Sequence, residues 1–117
     1  MRPAKGHDMN FMQIFTHLDK IRAFEKRYLP ELITLEDFDI VRVIGLRQEL
    51  GQVFLLKHLF LAGISSVSTV TRRMERLRKT SIIVTGALPT DRRVITLQLS
   101  PATLKTYQRY AELLGAR

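Results

Sequence analysis

The run Gly63-Ile64-Ser65-Ser66-Val67-Ser68-Thr69-Val70-Thr71-Arg72-Arg73-Met74-Glu75-Arg76-Leu77-Arg78-Lys79 decides how the rest of the chain is read. Gly63 breaks what precedes it and permits a sharp turn, and Ser65 and Ser66 supply caps for a helix over about 66–79. Turned at about 100° per residue, that helix gathers Val67, Val70, Met74 and Leu77 on one side as a narrow apolar stripe. The opposite side collects Ser65, Ser68, Thr69, Arg72, Arg76 and Lys79, with Arg73 on the flank. Hydroxyls stand near its start and guanidinium groups further along. A helix that enters a DNA major groove needs this order: small side chains let the first turn approach base edges, and arginine can read guanine O6 and N7 bidentately. Its N-terminal amides favour a phosphate.

Two strand-like runs follow, Ile82–Val84 and Val94–Leu99, joined by Gly86-Ala87-Leu88-Pro89-Thr90-Asp91-Arg92-Arg93. The alternation and the turn residues predict a hairpin with a basic tip. Arg92 and Arg93 on such a tip could reach an adjacent minor groove, where negative potential attracts arginine. Asp91 is expected to pair with a nearby arginine and orient it rather than to meet phosphate. Charge is distributed accordingly. Residues 1–70 hold nine Lys/Arg against eight Asp/Glu, whereas residues 71–117 hold ten against three, so nearly all of the net +8 lies from the helix onward. A positive field concentrated on one segment suits a polyanionic partner.

Working outward, residues 1–9 show little periodicity and read as a flexible N-terminal arm. From about 10 to 28, Phe11, Ile14, Phe15, Leu18, Ile21 and Phe24 recur at helical spacing until Pro30. Thr34 caps a second helix over about 35–49, with Glu36 and Asp37 in its first turn and Gly51 placed to close it. The stretch 52–62 is apolar nearly all round and predicts a short buried helix. Pro101 suits the first turn of a last helix to about 114, with Leu104, Tyr107, Ala111 and Leu114 on one face. The fold class expected is mainly α with a small β-hairpin (α+β), a winged helix-turn-helix, in one domain over 10–117.

Other chemistries find little support. The chain has no cysteine, so it carries no disulfide framework and no Cys-ligated zinc. His7, His17 and His58 have no metal-like spacing, and Asp37 and Asp39 point to different sides of one helix. Phosphate-binding glycine loops, nucleophile elbows and metal-hydrolase motifs are lacking. No catalytic residue, metal or cofactor is expected, and the protein is read as non-enzymatic. The N-terminus has no apolar core of a signal peptide, and no apolar run approaches the roughly 20 residues needed to span a bilayer. A cytoplasmic protein without a membrane partner is expected.

Ser68-Thr69-Val70-Thr71-Arg72, Arg76-Leu77, and Asp91-Arg92-Arg93 followed by Leu97-Gln98-Leu99-Ser100 resemble the recognition-helix and wing signatures of the MarR family of winged-helix regulators. The resemblance spans about residues 34–100. It implies a bacterial, homodimeric transcription regulator on a pseudo-palindromic double-stranded DNA operator, and repression by occluding a promoter is the expected mode. Arg93 would then sit in the minor groove with Asp91 supporting it. Family members are usually longer, and a glycine often stands where this chain has Thr80-Ser81. The short chain makes the terminal helices (10–28 and 101–114) the expected dimerisation elements, through Phe11, Ile14, Phe15, Leu18 and Phe24 with Leu104, Tyr107 and Leu114. A plasmid or phage replication or partition factor, an RNA binder, or a winged-helix protein-interaction module would use the same residues. The sequence leaves these open, along with any small-molecule effector.

Overall fold

A computed structural model of the chain describes residues 11–115, with side chains from Gln13 onward. The expected arm and the side chain of Phe11 lie outside the described residues. Five helices and a two-stranded sheet follow in the order α1 (Phe11–Tyr28), α2 (Leu35–Glu49), α3 (Leu56–Leu61), α4 (Val67–Lys79), β1 (Ile83–Ala87), β2 (Ile95–Leu99) and α5 (Pro101–Leu113). Among the described residues, no helix is long and apolar enough to cross a membrane. The chain divides into two compact units, Met1–Pro30 and Glu31–Arg117.

The described part of the first unit is α1. Its last turn brings the Phe24 and Tyr28 ring centres 4.8 Å apart with the planes tilted by 43°, and the Arg27 guanidinium lies 5.3 Å from the centre of the Tyr28 ring. Phe24 is buried, whereas Phe15 and Leu18 are exposed to solvent.

In the second unit, Thr34 and Asp37 form a reciprocal capping box at the start of α2. The Asp37 N–H donates to Thr34 Oγ1 at 3.2 Å, and the Thr34 N–H donates to Asp37 Oδ2 at 3.1 Å. Ile40 and Val41 turn inward, as does Ile44 one helical turn further on. At the far end Gly51, at φ +71°, closes the helix in a Schellman motif: Gln52 donates to the Arg47 carbonyl and Gly51 to that of Gln48.

The expected helix over 52–62 is corrected here. Only Leu56–Leu61 is helical, and Leu55 is extended and bridges to Thr96. The Leu97 N–H on β2 donates to the Phe54 carbonyl at 2.9 Å. An unbroken apolar run carries no periodicity that distinguishes strand from helix. The open edge of β2 decides the matter by supplying backbone partners. His58 Nδ1 accepts from the Leu55 N–H at 3.1 Å and so caps α3 from its third residue.

Gly63, at φ +75°, makes the turn into α4, where Ser66 Oγ accepts from the Thr69 N–H. Val70, Met74 and Leu77 are the buried stripe of α4. β1 and β2 pair antiparallel from Ile83 opposite Leu99 to Ala87 opposite Ile95, which carries the first strand three residues beyond the expected Val84. α5 is tied back to the junction of α4 and β1. The Ile82 carbonyl accepts from both the Ser100 N–H and the Thr103 hydroxyl, and Thr103 is buried.

α4 also ends in a Schellman motif, with Ile82 donating to the Leu77 carbonyl and Ser81 to that of Arg78. The residue that turns the chain is Ser81 at φ +64°. A Cβ in this left-handed region costs energy that glycine avoids. Ser81→Gly is expected to stabilise the fold by up to about 1 kcal/mol, read as a higher urea midpoint with an unchanged denaturant slope.

Candidate nucleic-acid interface

α4 is held at one angle of rotation about its axis by charge as well as by its apolar stripe. Asp37, at the start of α2, is completely buried. Its carboxylate accepts from Arg73 Nε at 2.8 Å and Nη2 at 2.6 Å, and from the Ile33 and Thr34 backbone N–H groups. This is a bidentate guanidinium–carboxylate pair whose remaining lone pairs are satisfied by backbone, the condition under which a buried ion pair holds. Burial on its own would raise the Asp37 pKa. The hydrogen bonds from Arg73, Ile33 and Thr34 outweigh it and hold the carboxyl below the usual carboxylate range.

The same carboxylate attracts Arg76, whose Nη1 lies 3.8 Å from Asp37 Oδ2 and donates to the Glu31 carbonyl. Two of the arginines expected to face DNA are therefore engaged inward. Arg73 keeps only 16% of its side-chain exposure, and Arg76 keeps 33%. The physical reason is the buried acid: an unpaired carboxylate there would be costly, and the flank of α4 toward α2 supplies the cations.

Nearly opposite Val70, Met74 and Leu77, the outward stripe of α4 is Ser68, Arg72, Glu75 and Lys79, spaced four, three and four apart, with exposed Thr71 and Arg78 to one side of it. Ser68, Arg72 and Lys79 are exposed. Of the helix's four arginines, Arg73 is on Asp37, Arg76 on the Glu31 carbonyl, and Arg78 on Glu75, with Nη2 to Oε1 at 2.9 Å. Arg72 makes no hydrogen bond or ion pair among the described residues. Arg78 and Glu75 were not among the expected contact residues. Their spacing of three on a helix was the available signal.

The hydroxyls divide in a similar way. Ser65 and Ser68 are exposed at the head of α4, whereas Ser66 is occupied as the cap and also donates to Thr69 Oγ1 at 3.0 Å. Thr69 is half-buried. At the hairpin tip the Asp91 carboxylate accepts from the Arg93 backbone N–H at 3.1 Å and from Arg93 Nε at 3.2 Å. The Arg93 side chain, and then its backbone N–H, hold the Asp91 carboxyl below its ordinary pKa. Asp91 thus pins the root of the Arg93 side chain while 92% of that side chain stays open to solvent. Arg92 beside it is exposed.

A helix-turn-helix of α3 and α4, followed by an antiparallel hairpin, defines a winged-helix fold. Solved structures of MarR-type regulators share it. A mutant of MepR from S. aureus superposes with a TM-score of 0.61 at 13% identity, over 91% of this chain and 77% of that one. The transcriptional regulator Tm0710 from Thermotoga maritima gives 0.59 at 20% identity, over 87% and 70%. A mutant MarR from E. coli complexed with operator DNA gives 0.55 at 16% identity, over 91% and 79%. No family model matches the sequence. No curated protein matches it either.

Because folding lowers the Asp37 pKa, the folded protein binds that proton less readily than the unfolded chain. The resulting stability is fully present above the unfolded carboxyl pKa of about 4 and is lost as pH falls through the lower folded value. Asp37→Ala is expected to cost about 3 kcal/mol at neutral pH by urea unfolding, since it leaves the half-buried Arg73 guanidinium without its hydrogen-bonded carboxylate. The variant's stability should also fall less steeply than that of the unsubstituted protein below about pH 4. A loss under about 1 kcal/mol would remove Asp37 as the anchor of α4.

Proposed function

We propose that the protein is a sequence-specific binder of double-stranded DNA that regulates transcription, with α4 in the major groove and the hairpin tip in the minor groove. The observation that carries this reading is the open stripe of α4, on which Arg72 stands with a free guanidinium beyond the Ser65 and Ser68 hydroxyls. Arg72 is the candidate for bidentate guanine recognition, Ser65 and Ser68 for phosphate or base contact, and Lys79 for the phosphate backbone. Arg93, steered by Asp91, and Arg92 are the candidates for the minor groove. Arg73 and Arg76 serve the interface by holding α4 in place. The concentration of positive charge in the C-terminal 47 residues and the fold shared with an operator-bound MarR agree with this reading.

The protein acts as a homodimer in this proposal. Phe15 and Leu18 on α1, Leu104 on α5 and Leu114 just beyond its end are exposed large apolar side chains that a second copy would cover, with Tyr107 on α5 half-buried. Two α4 helices related by a two-fold axis would read half-sites about 34–36 Å apart, one turn of DNA. Occupying a promoter in this way represses it, and the bacterial cytoplasm, on the nucleoid, is where such a protein works.

Selection from a random duplex pool should enrich a two-fold-symmetric site. On that site Arg72→Ala should cost about 1–3 kcal/mol in fluorescence anisotropy and relax preference at one base pair per half-site. Arg93→Ala should weaken all duplexes alike and lower the slope of log affinity against log salt by about one. Failure to enrich any sequence, or unchanged binding in both variants, would overturn the assignment. Sedimentation at micromolar concentration should give a dimer, and a monomer would remove α1 and α5 as the pairing elements.

A further inference from the structure

α4 contains a single carboxylate, Glu75, and it lies within the stripe proposed to face DNA rather than on the flank. Ser68, Arg72, Glu75 and Lys79 follow one another at steps of four, three and four, so the stripe runs hydroxyl, guanidinium, carboxylate, ammonium. Glu75 stands three residues beyond Arg72 on the same stripe, about 4.5 Å along the axis, so a helix that sets Arg72 against base edges brings Glu75 close to the neighbouring ones. Its side chain retains 43% exposure.

An ionised carboxylate only accepts hydrogen bonds. Phosphates and the O6, O4 and N7 atoms of the groove floor repel it. The groove offers it two kinds of donor, the N4 amino group of cytosine and the N6 amino group of adenine. Adenine sets its amino group beside the N7 acceptor, whereas cytosine shows only the donor, so cytosine is the better match. Arg78 makes the carboxylate tolerable near phosphate. Its Nη2 and Nε donate to Glu75 Oε1 at 2.9 and 3.2 Å, while Oε2 receives only the longer contact from Nε at 3.3 Å. The pair is neutral as a unit, and Oε2, with only that one long contact, keeps acceptor capacity.

From this geometry we infer that Glu75 is a specificity-determining residue that accepts a hydrogen bond from a cytosine N4 amino group in each half-site, with Arg78 as its positioning residue. The inference rests on the DNA-binding reading above. Glu75 adds selectivity, not affinity. On DNA lacking a cytosine at that position it is an unpaired negative charge against the groove, and it keeps Arg78 from a phosphate.

The test is duplex-pool selection with the unsubstituted protein, Glu75→Ala and Glu75→Gln, followed by anisotropy on the selected and a scrambled duplex at two salt concentrations. The unsubstituted protein should select cytosine at one position per half-site by on the order of tenfold. Glu75→Ala should lose that preference while keeping the position set by Arg72. It should also bind the scrambled duplex more tightly, with a salt slope steeper by about one as Arg78 becomes free. Glu75→Gln, nearly isosteric, should shift the preference toward adenine, which glutamine reads through N6 and N7. An unchanged sequence profile in both variants, with only a uniform rise in affinity, would overturn the inference and leave DNA binding intact. Failure of the unsubstituted protein to select any site would overturn the DNA-binding reading as well.

Discussion

A carboxylate with no access to water must have its charge met, and Asp37 meets it with one guanidinium from the helix that carries the candidate interface and two backbone amides from its own helix start. The chain segments joined are distant in sequence, residues 33–37 and residue 73. Val70, Met74 and Leu77 press α4 onto the core, but an apolar stripe tolerates some rotation and sliding. A bidentate pair does not, because its two hydrogen bonds require a coplanar fork at fixed separation. The face that α4 turns outward is therefore a consequence of where the inward-facing cations are held.

That constraint reorganises the meaning of the basic charge. Four arginines on a short helix suggest four contacts with a polyanion, yet three already have protein partners, each with a different task. Arg73 locks the helix to α2. Arg76 bridges to the Glu31 carbonyl ahead of α2, and Arg78 neutralises Glu75. The surface that remains is sparse, with one free guanidinium, one ammonium, exposed serines and a neutralised carboxylate. A surface of this kind discriminates better than a uniformly cationic one, because base edges are read by a few directed hydrogen bonds while phosphates reward any positive charge.

The remaining architecture keeps these groups in register. Two Schellman closures, at Gly51 and Ser81, set where α2 and α4 stop, and the second delivers the chain directly into β1. The Ile82 carbonyl then serves as a junction, accepting from Ser100 and from Thr103 at the head of α5. The hairpin tip is braced at its base by Phe54 and Leu55, which extend along β2 instead of joining α3. Each of these ties satisfies a backbone group that would otherwise be buried unpaired or left open at a helix end.

Local chemistry in the sequence determined much of this protein. Periodicity, the prolines at 30 and 101 and the caps at Thr34 and Ser66 set α1, α2, α4 and α5 nearly to the residue, because those signals act within a turn or two of where they stand. The hairpin, its basic tip and the Asp91–Arg93 pair were legible for the same reason. Tertiary structure alone decided what depends on distant partners. The stretch 52–55 stayed out of α3, with Phe54 and Leu55 on the edge of β2, because that edge needed hydrogen bonds, and nothing within the stretch itself expresses that. Arg73 and Arg76 share the composition of the exposed face but not its position, since 100° of rotation separates Arg72 from Arg73 and a carboxylate 36 residues away claims the latter. A helical wheel supplies the angles between side chains, and only the packed core supplies the direction in which the wheel is turned.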